Sequence, residues 1–202
     1  MYEFSLVLAS GSPYRAAILR DLGLDFTQVP ANIDESPLKS EEPRQLAERL
    51  GREKALAVVE TLDPNGKWVV IGSDQVCHHR GIAYGKPGNR KTAIAHLTTF
   101  SGDWVTYSSS LVLISSDGQT CSRVEDYECC FRTLYAKDIE NYVDRDQPWD
   151  CAGAIRIEKS AALLMTTTRG RDINTLMGLP VMALRDGLAD IGHDIISFIK
   201  FA

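Results

Sequence analysis

Two serines and an arginine surround a turn near the beginning of the sequence, in the segment Ala9-Ser10-Gly11-Ser12-Pro13-Tyr14-Arg15. An apolar strand pattern precedes this turn and a helix pattern follows it. The free backbone N–H groups and the positive dipole end of a helix N-terminus suit a phosphate. The hydroxyls of Ser10 and Ser12 and the planar cation of Arg15 add further donors. An ordinary helix capped by a serine would contain the same residue types, so this segment alone leaves phosphate binding open.

A second cation, Lys54, falls within the apolar stripe of a helix that we predict from residue 43 to about residue 61. On a helical wheel the stripe covers an arc of roughly 120°, and it consists of Leu46, Ala47, Leu50, Ala57 and Val58. Burying a lysine without a partner is costly, so this position favours a carboxylate partner or an anionic ligand. The alternative is that the Lys54 stem crosses the edge of the core and its ammonium group reaches solvent.

Two carboxylates and a third cation are found around the next predicted strand. Asp74 follows the buried-strand pattern Trp68-Val69-Val70-Ile71, and ligands of open α/β sheets bind at that end of a strand. Asp74 could therefore bind a divalent cation or activate water, although a simple turn aspartate would give the same pattern. Glu35 lies in an acidic loop over residues 31–42, and Lys86 lies in Gly85-Lys86-Pro87. Taken alone, these two residues carry little information.

Taken together, the five charged residues indicate phosphoryl chemistry. Arg15, Lys54 and Lys86 are cations suited to a polyphosphate, and Asp74 and Glu35 are carboxylates suited to Mg²⁺ or Mn²⁺. Hydrolysis of a phosphoanhydride needs this combination, because charge must be neutralised, the substrate aligned and a water activated. The sequence therefore predicts that these side chains converge around one hollow of triphosphate size.

The elements that must position these residues form a mixed pattern. We predict helices at residues 15–22, with Ser12 as N-cap and Pro13 in the first turn, and at residues 89–98, 136–143 and 180–190. Residues 103–115 and 120–131 read as two long strands joined by a turn. Helices and strands with an early β-turn-α unit indicate an α/β fold. No Pro/Gly-rich linker interrupts the chain, so we predict a single domain over residues 1–202. The apolar tail at residues 195–199 fits an edge strand or a dimer contact.

Composition excludes several classes of protein. The formal net charge of -5 disfavours a nucleic acid partner, which usually needs a basic surface. No apolar run approaches the roughly 20 residues that span a bilayer, and the first four residues lack the basic region of a signal peptide. The five cysteines are odd in number and contain no C-x-x-C pair, which is typical of free thiols in a reducing cytoplasm. Adjacent histidines on a strand point to opposite faces, so we interpret His78-His79 as part of a hairpin surface rather than a metal site. The composition as a whole predicts a soluble, cytoplasmic enzyme without a membrane partner.

At these residues the sequence resembles the Maf family of nucleotide pyrophosphatases, and the matching motifs occur in family order over almost the whole chain. They are Ala9-Ser10-Gly11-Ser12-Pro13-Tyr14-Arg15, Asp34-Glu35, Glu53-Lys54-Ala55, Gly72-Ser73-Asp74-Gln75-Val76, Gly85-Lys86-Pro87, Cys151-Ala152-Gly153 and Asn174-Thr175-Leu176-Met177-Gly178-Leu179-Pro180. The resemblance implies an elongated mixed sheet with flanking helices, similar to inosine triphosphate pyrophosphatases, with two lobes around a deep cleft and often a homodimer. It implies a hydrolase of acid anhydrides that cleaves nucleoside triphosphates to monophosphate and pyrophosphate with Mg²⁺, Mn²⁺ or Co²⁺.

The resemblance also implies roles for individual residues. Asp74 matches the proton-accepting base of the family, and we predict that Lys54 and Lys86 act with it in catalysis. Glu35 and Asp74 are the predicted metal ligands. The predicted substrate-binding residues are Ser10, Ser12, Tyr14, Arg15, Gln75 and Glu158.

Base preference follows from a narrower resemblance. Residues 74–77, Glu158 and residues 170–172 resemble the branch that hydrolyses 7-methyl-GTP, in which Tyr14, Gln75 and Glu158 correspond to specificity positions. Methylation gives the guanine a positive charge, which a carboxylate or an aromatic ring would favour. Two features depart from the family: Tyr14 stands where many members have arginine or tryptophan, and residues 154–161 lack an expected serine and glycines. Two alternatives therefore remain, a pyrophosphatase for dTTP and UTP and a nucleotide-binding regulator of septum formation with weak catalysis.

Overall fold

Residues 4–200, which the computed structural model describes, form a mixed sheet of eight strands flanked by five α-helices and four short 3₁₀ turns. The strands are β1 (Ser5–Ala9), β2 (Phe26–Gln28), β3 (Trp68–Gly72), β4 (Gln75–His79), β5 (Ile82–Tyr84), β6 (Trp104–Ser115), β7 (Thr120–Phe131) and β8 (Met165–Gly170). The helices are α1 (Pro13–Asp21), α2 (Pro43–Val59), α3 (Arg90–Phe100), α4 (Ala136–Asp146) and α5 (Val181–Asp190). The 3₁₀ turns cover Ala152–Ala154, Ala161–Leu164, Ile173–Thr175 and Ile195–Phe198.

The long strand β6 organises the sheet. On one edge it pairs antiparallel with β7 along almost its whole length, from Trp104 opposite Cys130 to Ile114 opposite Thr120. On the other edge it pairs with two strands in succession, first β4 and then β3, both antiparallel. Strand β1 lies between β3 and β2 and is parallel to both. The two pairings have the same register, so the chain follows one edge of β6 from β3 into β4 and the pairing is interrupted only at Ser73 and Asp74.

The chain crosses from β3 to β4 through Ser73 and Asp74, opposite Ser110 of β6. The Ser110 backbone N–H donates to the Asp74 carbonyl at 2.8 Å, and the Asp74 backbone N–H donates to the Ser110 hydroxyl at 2.9 Å. All three residues are buried. The side chain at position 74 therefore starts from a backbone that is fixed on both sides by strand pairing.

Helix α2 packs unusually closely on the sheet at this crossing. A Cβ atom added at Gly72 would collide with the carbonyl oxygen of Gly51 and with Ala55, and one added at Gly51 would collide with the Ser110 hydroxyl. The two glycines are therefore needed for the close approach of helix and sheet rather than for a special backbone angle. One turn after Gly51, the same helix carries Lys54.

The buried apolar residues lie on both sides of this crossing. One cluster, around Phe100, Tyr107 and Phe131, joins α3 and α4 to one end of the β6–β7 hairpin. Another, around Leu8, Leu19 and Leu184, joins α1 and α5 to the other end. The predicted mixed α/β fold is confirmed, whereas the elongated shape, the division into two lobes and the single domain over residues 1–202 stay predictions.

Most predicted elements are present, with shifts of a few residues. The helix expected at residues 15–22 begins at Pro13, and Ser12 caps it as predicted by accepting a hydrogen bond from the Arg15 N–H. The helices α3 and α4 extend further than predicted, and the two long strands occur almost as expected. All five cysteines are free, and no helix within residues 4–200 has the length and apolar character needed to cross a bilayer.

Two predictions hold only in part. Of the two alternatives for the tail, the edge strand is replaced by a 3₁₀ turn at Ile195–Phe198, whose Phe198 is buried with Leu8 and Leu19 and which a single bridge from Ile199 to Leu24 follows. The dimer contact stays a prediction. The hairpin surface predicted for His78-His79 holds only in part: β4 and β5 form the hairpin, but His79 is buried. Its ring Nε2 lies 2.9 Å from an Asp103 carboxylate oxygen, which compensates the burial of a polar ring.

Candidate active site

All ten predicted site residues line one cleft with a volume of about 800 Å³. Arg15 and Tyr14 come from the first turn of α1, Lys54 comes from α2, and Asp74 and Gln75 come from the crossing between β3 and β4. Loops supply the rest, which are Ser10, Ser12, Glu35, Lys86 and Glu158. The predicted residues therefore come together, and the volume is in the range of small-molecule sites. Their individual roles stay predictions.

The centre of the cleft is a lysine between two carboxylates. The Lys54 Nζ lies 2.6 Å from Asp74 Oδ1 and 2.6 Å from Glu35 Oε1, and the Lys54 side chain is only 9% exposed. The apolar stripe of α2 thus does bury the lysine, and the carboxylates are the partners that its burial requires. Of the two partners, Asp74 is also buried, whereas Glu35 faces the open side of the cleft.

Arg15 is buried beside this centre and is held by backbone and hydroxyl groups. Its Nε donates to the Gly178 carbonyl at 2.7 Å, and its Nη1 donates to the Ser10 hydroxyl at 3.2 Å. Burial lowers the pKa of the guanidinium, and the negative charges of Asp74 and Glu35 oppose that shift. Arginine stays charged under all ordinary conditions, so the cleft contains a fixed, buried positive charge.

The turn before α1 offers unpaired donors to an anion. The Ser12 backbone N–H donates to the Ser10 hydroxyl at 3.1 Å, and the Ser12 hydroxyl caps the helix. Within residues 4–200, the backbone N–H groups of Gly11 and Tyr14 donate to no protein group. Both residues line the cleft. The serines therefore shape the turn, and the free N–H groups at a helix N-terminus are what a phosphate would meet.

Lys86 is an exposed cation at the rim of the cleft, in the loop after β5. It forms no hydrogen bond or ion pair with any other residue in the described part of the chain. Its positive charge nevertheless lowers the pKa of the Glu35 carboxyl. Partial burial raises the pKa of that carboxyl, but the hydrogen bond and charge of Lys54 and the charges of Lys86 and Arg15 outweigh it and hold the pKa below its usual value.

A second part of the cleft lining, around the Tyr14 hydroxyl, contains carboxylates and apolar side chains. The Tyr14 hydroxyl donates to Asp150 Oδ2 at 3.0 Å and accepts from Arg156 Nη2 at 3.3 Å. Arg156 also donates to Asp150 Oδ1 at 2.5 Å, and its Nε lies 3.6 Å from a Glu158 oxygen. Tyr14, Asp150 and Glu158 line the cleft, together with the apolar side chains of Ile155 and Ile157.

Gln75 is oriented by the loop before α5. Its Nε2 donates to the carbonyl oxygens of Thr175 and Leu176 at 2.8 and 3.0 Å. Ser109 of β6 donates to the same Thr175 carbonyl at 2.7 Å. With its amide nitrogen committed to the backbone, Gln75 has its carbonyl oxygen left for a ligand.

Several residues of this site carry little or no signal in the sequence. Asp150 and Arg156 were not singled out, and the only signal was their position beside the Cys151-Ala152-Gly153 motif. Gly178 lies within the motif at residues 174–180, and its residue type alone predicts no role. In the structure it adopts a φ of 98° and its carbonyl accepts hydrogen bonds from Arg15 and Ser73, so the left-handed backbone that glycine permits places a shared acceptor.

The loop that lacks the expected glycines is held by α4. Ala154 adopts a φ of 60°, in the left-handed region that strains a residue with a Cβ atom. The Tyr142 hydroxyl donates to the Ala154 carbonyl at 3.0 Å and accepts from the Arg156 backbone N–H at 2.9 Å. Further along, the Ser160 N–H donates to Asp146 at 2.9 Å. The altered run therefore keeps a defined conformation because two side chains of α4 bind its backbone.

The carboxylates fit a divalent cation only in combination with a substrate. No group of three or more His, Cys, Asp or Glu side chains suited to a metal occurs among residues 4–200. One oxygen of Glu35 and one oxygen of Asp74 contact the Lys54 nitrogen, which leaves the second oxygen of each carboxylate as a hard donor for a cation. Mg²⁺ is commonly held by one or two carboxylates together with substrate phosphates, and this pair meets that requirement.

The chain is similar over most of its length to known proteins. The family model described as "Maf-like protein" matches residues 5–191. The chain is 43% identical over 188 residues to a 7-methyl-GTP pyrophosphatase of Idiomarina loihiensis, covering 93% of this chain and 94% of that protein. It is 40% identical over 197 residues to a 7-methyl-GTP pyrophosphatase of Vibrio vulnificus, covering 97% and 100%. Among solved structures, the Staphylococcus aureus Ham1 protein is similar over 77% of this chain and 88% of that one, with 12% identity and a TM-score of 0.43, too weak a similarity to carry weight.

Proposed function

The chain belongs to the Maf family, and from that premise we propose that it hydrolyses 7-methyl-GTP between the α- and β-phosphates to give 7-methyl-GMP and pyrophosphate. The observation that carries the reaction type is the convergence of Arg15, Lys54 and Lys86 with Asp74 and Glu35 in one cleft. The support for the base is the name printed for relatives that match more than nine-tenths of the chain.

The triphosphate binds at the cationic end of the cleft. The free N–H groups of Gly11 and Tyr14 and the dipole of α1 attract one phosphate, and the buried Arg15 adds a fixed positive charge beside them. Lys86 has no protein partner in the described structure, so it is free to pair with a phosphate from the rim. These groups neutralise charge that grows on the leaving pyrophosphate.

Asp74 accepts the proton of the attacking water. Its backbone is fixed at the crossing between β3 and β4, and Lys54 orients its carboxylate through Oδ1. The second carboxylate oxygen has no hydrogen bond from a described residue, so it is free to bind the water. As the water oxygen bonds to phosphorus, the anhydride bond breaks and pyrophosphate leaves with its electron pair.

Glu35 and Asp74 would hold a divalent cation against the phosphates. Such an ion supplies neutralisation of phosphate charge and makes a bound water more acidic. The two residues are suited to Mg²⁺, Mn²⁺ or Co²⁺ because both are carboxylates that line the cleft and each has a second oxygen not engaged by Lys54. Lys54 holds the two carboxylates close together, because its Nζ contacts one oxygen of each.

The base binds at the wall formed by Tyr14, Gln75 and Glu158. Tyr14 offers an aromatic face for a cationic base, Gln75 offers its carbonyl oxygen, and Glu158 accepts hydrogen bonds from the guanine edge. The side chains of Ile155 and Ile157 supply apolar contact.

A nucleotide panel tests the proposal. Pyrophosphate release should be measured for 7-methyl-GTP, GTP, dTTP, UTP and ATP with Mg²⁺, Mn²⁺ or Co²⁺ and with a chelator. We expect the highest kcat/KM for 7-methyl-GTP and no turnover with the chelator. Faster turnover of dTTP and UTP would identify pyrimidine nucleotides as the substrates instead. Absence of turnover of every triphosphate would reject the proposed pyrophosphatase activity.

A further inference from the structure

Asp150 is a charged group of the cleft wall that the proposed function does not yet use. It lies at the end of the loop after α4, its side chain is 54% exposed, and it lines the cleft. One of its carboxylate oxygens accepts from the Tyr14 hydroxyl at 3.0 Å and the other from Arg156 at 2.5 Å. It therefore presents a negative charge directly beside the aromatic ring assigned to the base.

Partial burial does not remove this charge. Burial raises the pKa of the Asp150 carboxyl, but the hydrogen bonds from Tyr14 and Arg156 outweigh it and leave the pKa below its usual value. Asp150 is therefore ionised at neutral pH, in the range where a nucleotide would bind.

The charges of this wall do not cancel. Asp150 and Glu158 are two carboxylates, and Arg156 is the one guanidinium that pairs with both. Arg156 itself does not line the cleft, whereas both carboxylates do. The Arg156 Nε is buried without a hydrogen-bond partner, because the Glu158 oxygen 3.6 Å away is too distant to accept from it. The wall thus carries one net negative charge, and Glu158 is only loosely held by its cation.

The cationic end of the cleft does not compensate this wall. In the described structure the partners of Lys54 are Asp74 and Glu35, and Arg15 is bound to neutral oxygens. Lys86 forms no ion pair in the described structure, although backbone hydrogen bonds join its loop to residues 149 and 153. None of the three cations therefore pairs with Asp150 or Glu158, and within residues 4–200 the cation that pairs with these two carboxylates is Arg156.

On these grounds we infer that Asp150 is a further specificity-determining residue, which favours a nucleobase that carries a positive charge over its neutral counterpart. The inference rests on the proposed function, since it places the base against the Tyr14 wall. A 7-methylguanine gains attraction from the net negative charge, whereas an unmethylated guanine of the same shape does not. Asp150 acts on binding and takes no part in the bond that breaks, so its effect belongs in KM and leaves kcat unchanged.

The test compares Asp150→Asn with a matched control. Asparagine keeps the size and one acceptor oxygen and removes the charge. The control is Asp144→Asn: Asp144 is 55% exposed and pairs with Arg90, but it lies outside the cleft. For Asp150→Asn we expect the ratio of kcat/KM for 7-methyl-GTP over GTP to fall about two- to fivefold, a size typical of an exposed charge pair. The fall should come from a higher KM for 7-methyl-GTP, and Asp144→Asn should keep the wild-type ratio.

A second measurement separates this inference from the proposed function. Binding of 7-methyl-GMP and GMP, followed by calorimetry, reports base discrimination without turnover. Asp150→Glu should keep the preference for the methylated nucleotide, and Asp150→Asn should weaken it by the same factor as in the kinetic ratio. An unchanged ratio in Asp150→Asn, with wild-type hydrolysis of 7-methyl-GTP intact, overturns the role of Asp150 alone. Absence of turnover in the wild-type protein overturns the proposed function. If the wild-type protein also binds 7-methyl-GMP and GMP equally well, the inference about Asp150 is overturned too.

Discussion

Replacing Lys54 by methionine keeps most of the side-chain volume and removes the charge that joins Asp74 to Glu35. Both carboxylates lie 2.6 Å from Nζ, but the Asp74 side chain is 11% exposed and that of Glu35 is 59% exposed. Leaving a buried carboxylate without its partner costs about 3–5 kcal/mol, whereas an exposed pair contributes at most about 1 kcal/mol. We therefore expect a loss of roughly 3–5 kcal/mol, arising almost entirely at Asp74.

Thermal unfolding followed by circular dichroism measures this loss. In a protein of this size 1 kcal/mol shifts Tm by about 2–4 °C, so Tm should fall by about 6–20 °C. The double variant Lys54→Met/Asp74→Asn identifies the cause, because asparagine removes the unpaired charge. It should recover roughly half of the lost stability while pyrophosphate release stays low. An unchanged Tm in Lys54→Met, or a double variant less stable than Lys54→Met, would refute the buried pair as the source of stability.

Three further changes test the rest of the site. Asp74→Asn should keep nucleotide binding by calorimetry and lower pyrophosphate release by about 10²–10⁴-fold; a cellular division phenotype that survived this change would favour the regulator instead. Gly72→Ala should lower the free energy of unfolding by about 1–3 kcal/mol because its Cβ collides with the Gly51 carbonyl, whereas Gly85→Ala, with open space around it, should leave Tm unchanged. The lowered pKa of Glu35 means that its stabilising effect is complete well above its usual value of 4.5 and disappears as pH falls through the lowered one. The stability difference between wild type and Glu35→Gln, measured by urea unfolding, should therefore shrink on acidification below pH 4.5, and a difference that grew instead would contradict this assignment.

The parts of the site that sequence analysis predicted well are those fixed by local rules. Ser12 and Pro13 mark the start of α1 because capping and the fixed φ of proline act within one turn. Lys54 stood out because a charge in an apolar stripe needs a partner, and the structure supplies two. The long strands β6 and β7 were predicted almost to the residue, because a turn signal separates two extended β-rich runs.

The parts that were missed depend on contacts between distant segments or on weak patterns. Asp150 meets Tyr14 across 136 positions of sequence, and no local feature of either residue indicates that pairing. Strand β8 is exposed over most of its length, so it lacks the alternation that identifies a half-buried strand. His79 was expected at the surface because a histidine pair in a hairpin usually lies there, yet Asp103 compensates its burial.

The attachment of β3 and β4 to a single edge of β6 has a consequence for how such a protein can diverge. A mutation that displaced Asp74 would have to break one of the two strand pairings beside it, and few neutral mutations can do so. The segment at residues 150–158, in contrast, is held in place by individual side-chain hydrogen bonds, and a single substitution can remove or create one of them. Lineages that acquire a new nucleotide preference are therefore expected to inherit the hydrolytic centre unaltered and to accumulate their differences in that segment.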